Sequence, residues 1–268
     1  MTVHISPHAV VDSRAEIDED VVIGPFSVIG PRVRVGRGTR LENHVTIMGN
    51  VTLGCENHIF PHAVIGGAPQ DLNYAGSDTR LIIGDHNVIR ENVTINRGSE
   101  KELGVTTLGD RCFLMAGTHV AHDCCIGSHV VMANGTMLGG HVHIQDHATL
   151  SGDVAVHHFA TIGRYCFVGG KSSVRQDVAP YMLVEGCPAR PRCVNVVALK
   201  RNDFSGKVID VLSEAHRLLY RAKVGLDQAR QLLRSEGKLT PQVNELFEFL
   251  ETQQEGRHGR GRELRRAA

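Results

Sequence analysis

The chain has 268 residues, and its 29 Lys and Arg balance its 29 Asp and Glu, so the electrostatic drive for binding nucleic acid or other polyanions is missing. With no Trp, 4% aromatic residues and 29 Gly beside 41% hydrophobic residues, any core must be built from aliphatic side chains. No stretch reaches the roughly 18 apolar residues of a membrane span, the first residues lack an export signal, and seven Cys without a C-x-x-C pair make no disulfide framework, so a cytoplasmic location is expected.

From Ile5 onward the chain repeats with a period of six. Ile5, Val11, Ile17, Ile23, Ile29, Val35, Leu41, Ile47, Leu53, Ile59 and Ile65 open eleven consecutive hexads. The pattern lapses over Gly67 to Ile82 and returns in phase at Ile83, Ile89 and Ile95. It lapses again over Gly98 to Thr107, then runs one residue out of phase from Leu108 to Val174. Of twenty-six first positions only Met132 is not Ile, Val or Leu. A lone strand or helix cannot bury every sixth residue. A solenoid can, if its short strands meet at a turn once per hexad and stack each aliphatic on its counterpart in the next coil. The expectation for residues 1–190 is therefore a mainly β fold, a parallel β-helix about 40 Å long at the ~4.8 Å strand spacing.

After Pro180 the period is gone, and Pro188 and Pro191 mark a boundary. Residues 191–254 read as an α-helical C-terminal domain. Ser205 can N-cap a helix with apolar positions Val208, Val211, Leu212, Ala215, Leu218, Leu219 and Ala222; Gly225 ends it. A second helix is expected over about Leu226 to Ser235, and Thr240-Pro241 opens a third. Such a cap would cover unpaired strand edges at the end of the solenoid. The Arg-rich tail, 255–268, is expected to be disordered.

Sixteen His are the remaining signal. His8, His44, His62, His86, His129, His141 and His147 all take the fourth place of their hexads, which suggests a solvated turn that accepts His generically. The segment from Thr118 to His158 is different. Val120, Leu138 and Val156 are eighteen residues apart, so with three hexads per coil His122, Gly140 and His158 fall in register on one edge, with His119, His141 and His157 beside them and Asp123 directly after His122. Three readings fit: a Zn site, as in a trimeric hexapeptide carbonic anhydrase; a general base oriented by a carboxylate; and a polar subunit interface of a non-catalytic scaffold.

The hexads themselves resemble the hexapeptide-repeat proteins, which implies a left-handed coil although the general crossover rule favours the other hand. His119-Val120-Ala121-His122-Asp123-Cys124, Leu138-Gly139-Gly140-His141-Val142, Ala155-Val156-His157-His158-Phe159 and Gln70-Asp71-Leu72-Asn73-Tyr74-Ala75-Gly76 together resemble the acyl-carrier-protein-dependent UDP-N-acetylglucosamine O-acyltransferases of lipid A synthesis. Ile89 to Gly98 matches the family's strand before the second break, and Val194 to Arg201 matches the start of its helical domain. The resemblance implies that His122 is the general base toward the sugar 3-hydroxyl, that Asp123 orients it, and that the Gly140 N–H donates to the oxyanion. It implies substrate-positioning roles for Asp71, His119, His141, His157 and His158, nucleotide contacts for Asn195 and Arg201, and an acyl-length ruler at Gly170, whose small size points to a long 3-hydroxyacyl chain.

It further implies a homotrimer with the site between subunits, acyl carrier protein and a UDP-amino sugar as partners, and neither metal nor cofactor beyond the carrier's phosphopantetheine thioester. Arg164, Lys171, Arg175 and the helical domain are candidates to meet the acidic carrier. Asn73 stands where the family usually has Lys, Val197 where an acid is common, Asn202 where a second Arg often sits and His158 where Gln is usual. These departures leave room for a 3-amino sugar and N-acylation by the same chemistry.

Overall fold

The computed structural model describes residues 2–256, so of the Arg-rich tail only Glu255 and Gly256 are seen and the rest of that expectation lies outside the described residues. The hexads form a left-handed parallel β-helix. Most strands are two residues long and end on the first-position aliphatic. Strands three hexads apart pair in parallel, Ile5 on Ile23 and Ile23 on Leu41, and build a first sheet of eleven strands, a second of nine and a third of eight. Across the breaks Ile59 pairs with Ile89, and Ile89 with Leu114. Both excursions and the one-residue phase change are thus looped out without disturbing the columns.

The first-position column is only half of the core. Each flat of a coil is extended from the residue before its strand through the strand's end, with alternate side chains pointing in, out and in, so the fifth residue of a hexad faces the interior together with the next first residue. Ser27, Thr39, Val45, Asn57, Ala63, Asn87, Val93, Cys112, Cys124, Val130, Ala148 and Cys166 occupy this fifth place and are all buried. They are small because the place lies beside a corner of the triangular coil. Hydrophobicity does not reveal them, since Ser, Thr and Asn satisfy their polar atoms on the neighbouring coil. Ser27 Oγ donates to the Glu42 carbonyl, Thr39 Oγ1 to that of Gly54 and Asn57 Nδ2 to that of Gly84.

The fourth place is where the backbone turns the corner. Apart from His8, the His expected there have φ between 57° and 65°, in the left-handed region that His, Asn and Asp enter more readily than other side chains. His44, His62, His86 and His129 are exposed, as a solvated turn requires, but His141 at 4% exposure is not.

The C-terminal end differs in detail from the sequence expectation. Met182–Gly186 pairs in parallel on Phe167–Val168 and then antiparallel with Ala189–Val194, so the first sheet continues to Val194 and the domain change expected at 190/191 falls inside a strand. A helix α1, Val196–Arg201, follows; its six residues are too few to show a period. Ser205 caps α2, Gly206–His216, which continues as a π-helical turn over Arg217–Arg221. Helix α3 covers Leu226–Ser235, and Thr240 caps α4, Pro241–Gln254, by accepting from the Val243 N–H. Phe204 sits edge-on to Tyr165 and Tyr181, and the Tyr181 hydroxyl donates to Glu245 of α4, so the helices close the C-terminal end of the prism. At the other end Ile5 remains 44% exposed.

Candidate active site

Both breaks and the His-rich coils meet on one edge. The loops at 68–79 and 98–104 each leave a strand of the second sheet and return to one of the third, as do the turns bearing His122, Gly140 and His158. Gln70, Asp71, Leu72, Asn73 and Lys101 from the loops face His122, Gly140, His141, His158 and Phe159 from the turns across a cleft of about 460 Å³.

His122 and Asp123 are the third and fourth residues of one turn. The Asp123 carboxylate Oδ2 lies 2.8 Å from His122 Nδ1. An ionised carboxylate only accepts, so Nδ1 carries the proton and Nε2 is left with its lone pair. Burial alone would raise the Asp123 carboxyl, but hydrogen bonds from His122 and Ser99 outweigh it and hold the group below its ordinary value. On the next coil Gly140 lies under the His122 ring: a Cβ there would be 2.7 Å from Cε1 and 2.8 Å from Nε2. Glycine at this place is what lets the ring settle over the turn. The Gly140 N–H donates to no atom among the described residues and is therefore a free donor beside the imidazole.

The other expected residues gather around this pair. The His141 ring is edge-on to His122 at 5.1 Å and stacked on Phe159 at 4.4 Å, with its Nδ1 3.6 Å from Glu102 Oε1. His119 shares a 2.7 Å hydrogen bond through Nδ1 with Thr94 Oγ1; burial, with a smaller contribution from His122, lowers its pKa and favours the neutral ring. The rings of His157 and His158 are 3.8 Å apart, and His157 Nδ1 donates to the His158 carbonyl. Asp71 pairs with Lys101 at 2.5 Å, and that bond holds its carboxyl below the usual range.

Ser99, Thr94, Thr106, Lys101 and Glu102 were not singled out from the sequence. Four of the five belong to the second break or its flank, and the polar run Ser99-Glu100-Lys101-Glu102 just before the His122 coil was the available signal.

His122, Asp123 and His141 offer donor atoms within 4.8 Å of one another, the one group among the described residues close enough to be tested as a metal site. The fit is poor. Metal–ligand distances are about 2 Å, whereas Asp123 Oδ2 already accepts from His122 Nδ1 at 2.8 Å, from Ser99 Oγ at 2.5 Å and from the Ser99 N–H at 3.1 Å. Those three bonds saturate Oδ2, and Oδ1 accepts from the Ser99 N–H at 3.0 Å, so a cation would have to displace bonds the carboxylate already makes to the chain. A cysteine nucleophile is also disfavoured: burial pushes the Cys124 thiol, next to Asp123, up to about 12.

The remaining expected residues lie elsewhere on the chain. Asn195 and Arg201 border a separate cavity of about 380 Å³ with His129, His147, Val197 and Asn202, against the first sheet. The Asn195 side chain caps α1 and donates to the Tyr165 carbonyl, so both ends of its amide are engaged within the chain. Gly170 is exposed on the edge between first and second sheets; its φ is not left-handed and a Cβ would come no nearer than 3.3 Å, to the Gly152 carbonyl. No turn conformation demands glycine there. Lys171 and Arg175 are exposed, while Arg164 lies 3.7 Å from Glu245 and over the Tyr165 ring.

A family model described as UDP N-acetylglucosamine O-acyltransferase, domain 2, matches residues 177–260, one described as bacterial transferase hexapeptide (six repeats) matches 106–140, and one described as GMPPB C-terminal domain matches 5–99. An acyl-[acyl-carrier-protein]–UDP-N-acetylglucosamine O-acyltransferase of Syntrophobacter fumaroxidans is 46% identical over 253 residues, which cover 94% of this chain and 98% of that protein. A protein of the same description from Thermodesulfovibrio yellowstonii is 45% identical, covering 92% and 96%. The solved UDP-N-acetylglucosamine acyltransferase of Bacteroides fragilis superposes with a TM-score of 0.89 at 35% identity, covering 92% of this chain and 96% of that one.

Proposed function

The chain belongs to the acyl-[acyl-carrier-protein]–UDP-N-acetylglucosamine O-acyltransferase family, and from that premise we propose that it transfers an (R)-3-hydroxyacyl group from acyl carrier protein to the 3-hydroxyl of UDP-N-acetylglucosamine, the first step of lipid A biosynthesis. The observation that carries the chemistry is His122 Nε2 beside the free Gly140 N–H, with Nδ1 held on Asp123. Nε2 takes the proton of the sugar hydroxyl as its oxygen attacks the thioester carbonyl. The Gly140 N–H donates to the oxyanion that forms, and the Asp123 carboxylate offsets the charge of the imidazolium. As the C–S bond breaks, His122 returns the proton to the departing phosphopantetheine sulfur. His119, largely neutral, His141, His157, His158 and Asp71 orient sugar and acyl chain. None of these steps calls for a metal or further cofactor.

The homotrimer and its shared site belong to the same proposal. In one chain His122 lies on the edge between second and third sheets, Gly170 on that between first and second, and Asn195 and Arg201 against the first sheet. A filled prism has no internal cavity, so only apposed copies bring base, acyl groove and nucleotide contacts together. Acyl carrier protein would approach over the exposed Lys171 and Arg175, and Gly170 would leave the groove long. Among the described residues no helix is long and apolar enough to cross a membrane, and a cytoplasmic location goes with the carrier-bound donor.

The test is acyl transfer from a panel of 3-hydroxyacyl carrier proteins to UDP-N-acetylglucosamine and its 3-amino analogue, with His122→Ala alongside. Turnover on the 3-hydroxyl sugar that falls about 10³-fold in the variant is expected. A preference for the amino sugar would convert the reading to N-acylation, and no turnover on either would sink it.

A further inference from the structure

The second break does more than lengthen one coil. Its neck is closed where Gly98 crosses Gly104 and Val105; a Cβ on Gly98 would be 2.2 Å from the Val105 nitrogen, so only glycine permits the crossing. The closed neck presents Ser99, 1% exposed, to the carboxylate of Asp123. The Ser99 N–H donates to Oδ1 at 3.0 Å and to Oδ2 at 3.1 Å, and its hydroxyl donates to Oδ2 at 2.5 Å. From behind, the Asp123 N–H donates to Thr106 Oγ1 at 2.8 Å. Oδ2 is also the atom that accepts the hydrogen bond from His122 Nδ1–H. Two strong donors therefore compete for one oxygen. Charge drawn toward the Ser99 hydroxyl is not available to the imidazolium.

We propose that Ser99 is a positioning residue of this site, which fixes the Asp123 carboxylate and, by sharing Oδ2 with His122, moderates the basicity of Nε2. This rests on the functional reading above only in what the basicity is for. Without the hydroxyl, Oδ2 belongs more fully to His122 and supports its protonated form better, so the imidazole pKa rises while the carboxylate loses a restraint. The other charged and titratable groups around the ring stay the same: Asp71 paired with Lys101, Glu102 beside His141, His141 itself, His119 on the preceding strand, and His158 across the cleft.

The experiment is a titration of His122 by NMR of histidine-labelled full-length protein, assigned with His122→Ala, for wild type, Ser99→Ala and Ser99→Thr, together with the pH profile of kcat/KM. Ser99→Ala is expected to raise the His122 pKa by about half a unit, to move the acid limb of the profile by the same amount, and to lower kcat about tenfold. Ser99→Thr keeps the hydroxyl and is expected to stay near wild type in all three. An unshifted His122 in Ser99→Ala, or the same shift in Ser99→Thr, overturns the proposal. The titration needs no substrate, so a wild type without acyl transfer would refute the functional reading and leave the Ser99 result standing.

Discussion

Gly140→Ala separates chemistry from folding at a single atom. The added Cβ would lie 2.7 Å from His122 Cε1 and 2.8 Å from Nε2, against an ordinary carbon contact of about 3.7 Å. The ring must therefore retreat by about 1 Å, and in doing so it leaves the 2.8 Å bond to Asp123 and the position where Nε2 meets the sugar hydroxyl. A misplacement of about 1 Å at a reacting group costs about 10²-fold in rate, or about 2.7 kcal/mol of barrier. The backbone has no reason to object. The φ of Gly140 is outside the left-handed region, the atoms in the way belong to a side chain, and the N–H remains in place. A Gly→Ala change at a compatible φ stabilises by about 0.5 kcal/mol through the unfolded chain. Gly139→Ala makes the contrast, since its Cβ would be 2.7 Å from the His158 backbone nitrogen and the coil itself would have to move. The assay is kcat at saturating substrates together with Tm. Gly140→Ala should lose about 10²-fold in kcat with only a small fall in Tm, the lost His122–Asp123 bond set against the gain in the unfolded chain, and Gly139→Ala should lose markedly more Tm. A Gly140→Ala enzyme within about threefold of wild-type kcat would refute the placement of the base.

Asp123→Asn should lose stability in a pH-dependent way. The carboxyl is held below its ordinary value in the fold and returns to about 3.9 on unfolding, so its contribution is complete above that value and is lost as the pH falls through the lowered one. The Tm deficit of the variant should be large at neutral pH and shrink as the pH falls below the ordinary carboxyl value, and a constant deficit would contradict the linkage. Gly170→Gln should leave the fold intact, because nothing there requires left-handed backbone, and shift acyl preference to shorter chains in competition assays; an unchanged preference would remove the ruler role. Thr118 is fully buried in a fifth place and its hydroxyl has no partner among the described residues, so Thr118→Val should stabilise by up to about 1 kcal/mol in urea melts, and a clear loss would show a bond the structure does not contain.

Much of this molecule was legible because its repeat is short and strict. A residue that returns every six positions as Ile, Val or Leu, from Ile5 to Val174, leaves almost no fold other than a solenoid, and the register of Val120, Leu138 and Val156 already set His122 over Gly140 and His158. The helix caps at Ser205 and Thr240 were readable for a similar local reason, a polar side chain directly before an apolar period. The fifth-place column was not, because its Ser, Thr, Asn, Ala, Cys and Val share limited size and mix polar with apolar side chains, and size matters only once a corner exists to limit it. The start of the helical domain at Val194 to Arg201 came from the family resemblance and not from any period in its six-residue helix, and the hairpin that carries the first sheet past residue 190 was not legible.

The site divides in the same way. His122, Asp123 and Gly140 are set by spacing along the chain. Ser99, Lys101 and Glu102 lie in a segment with no period, and only the folding of that segment onto the edge below His122 brings them to Asp123, Asp71 and His141. A repeat determines where its own residues stack; what a loop that interrupts the repeat will touch is decided by the closure of its neck at Gly98 and by the coil it lands on, and that is a property of the folded chain alone.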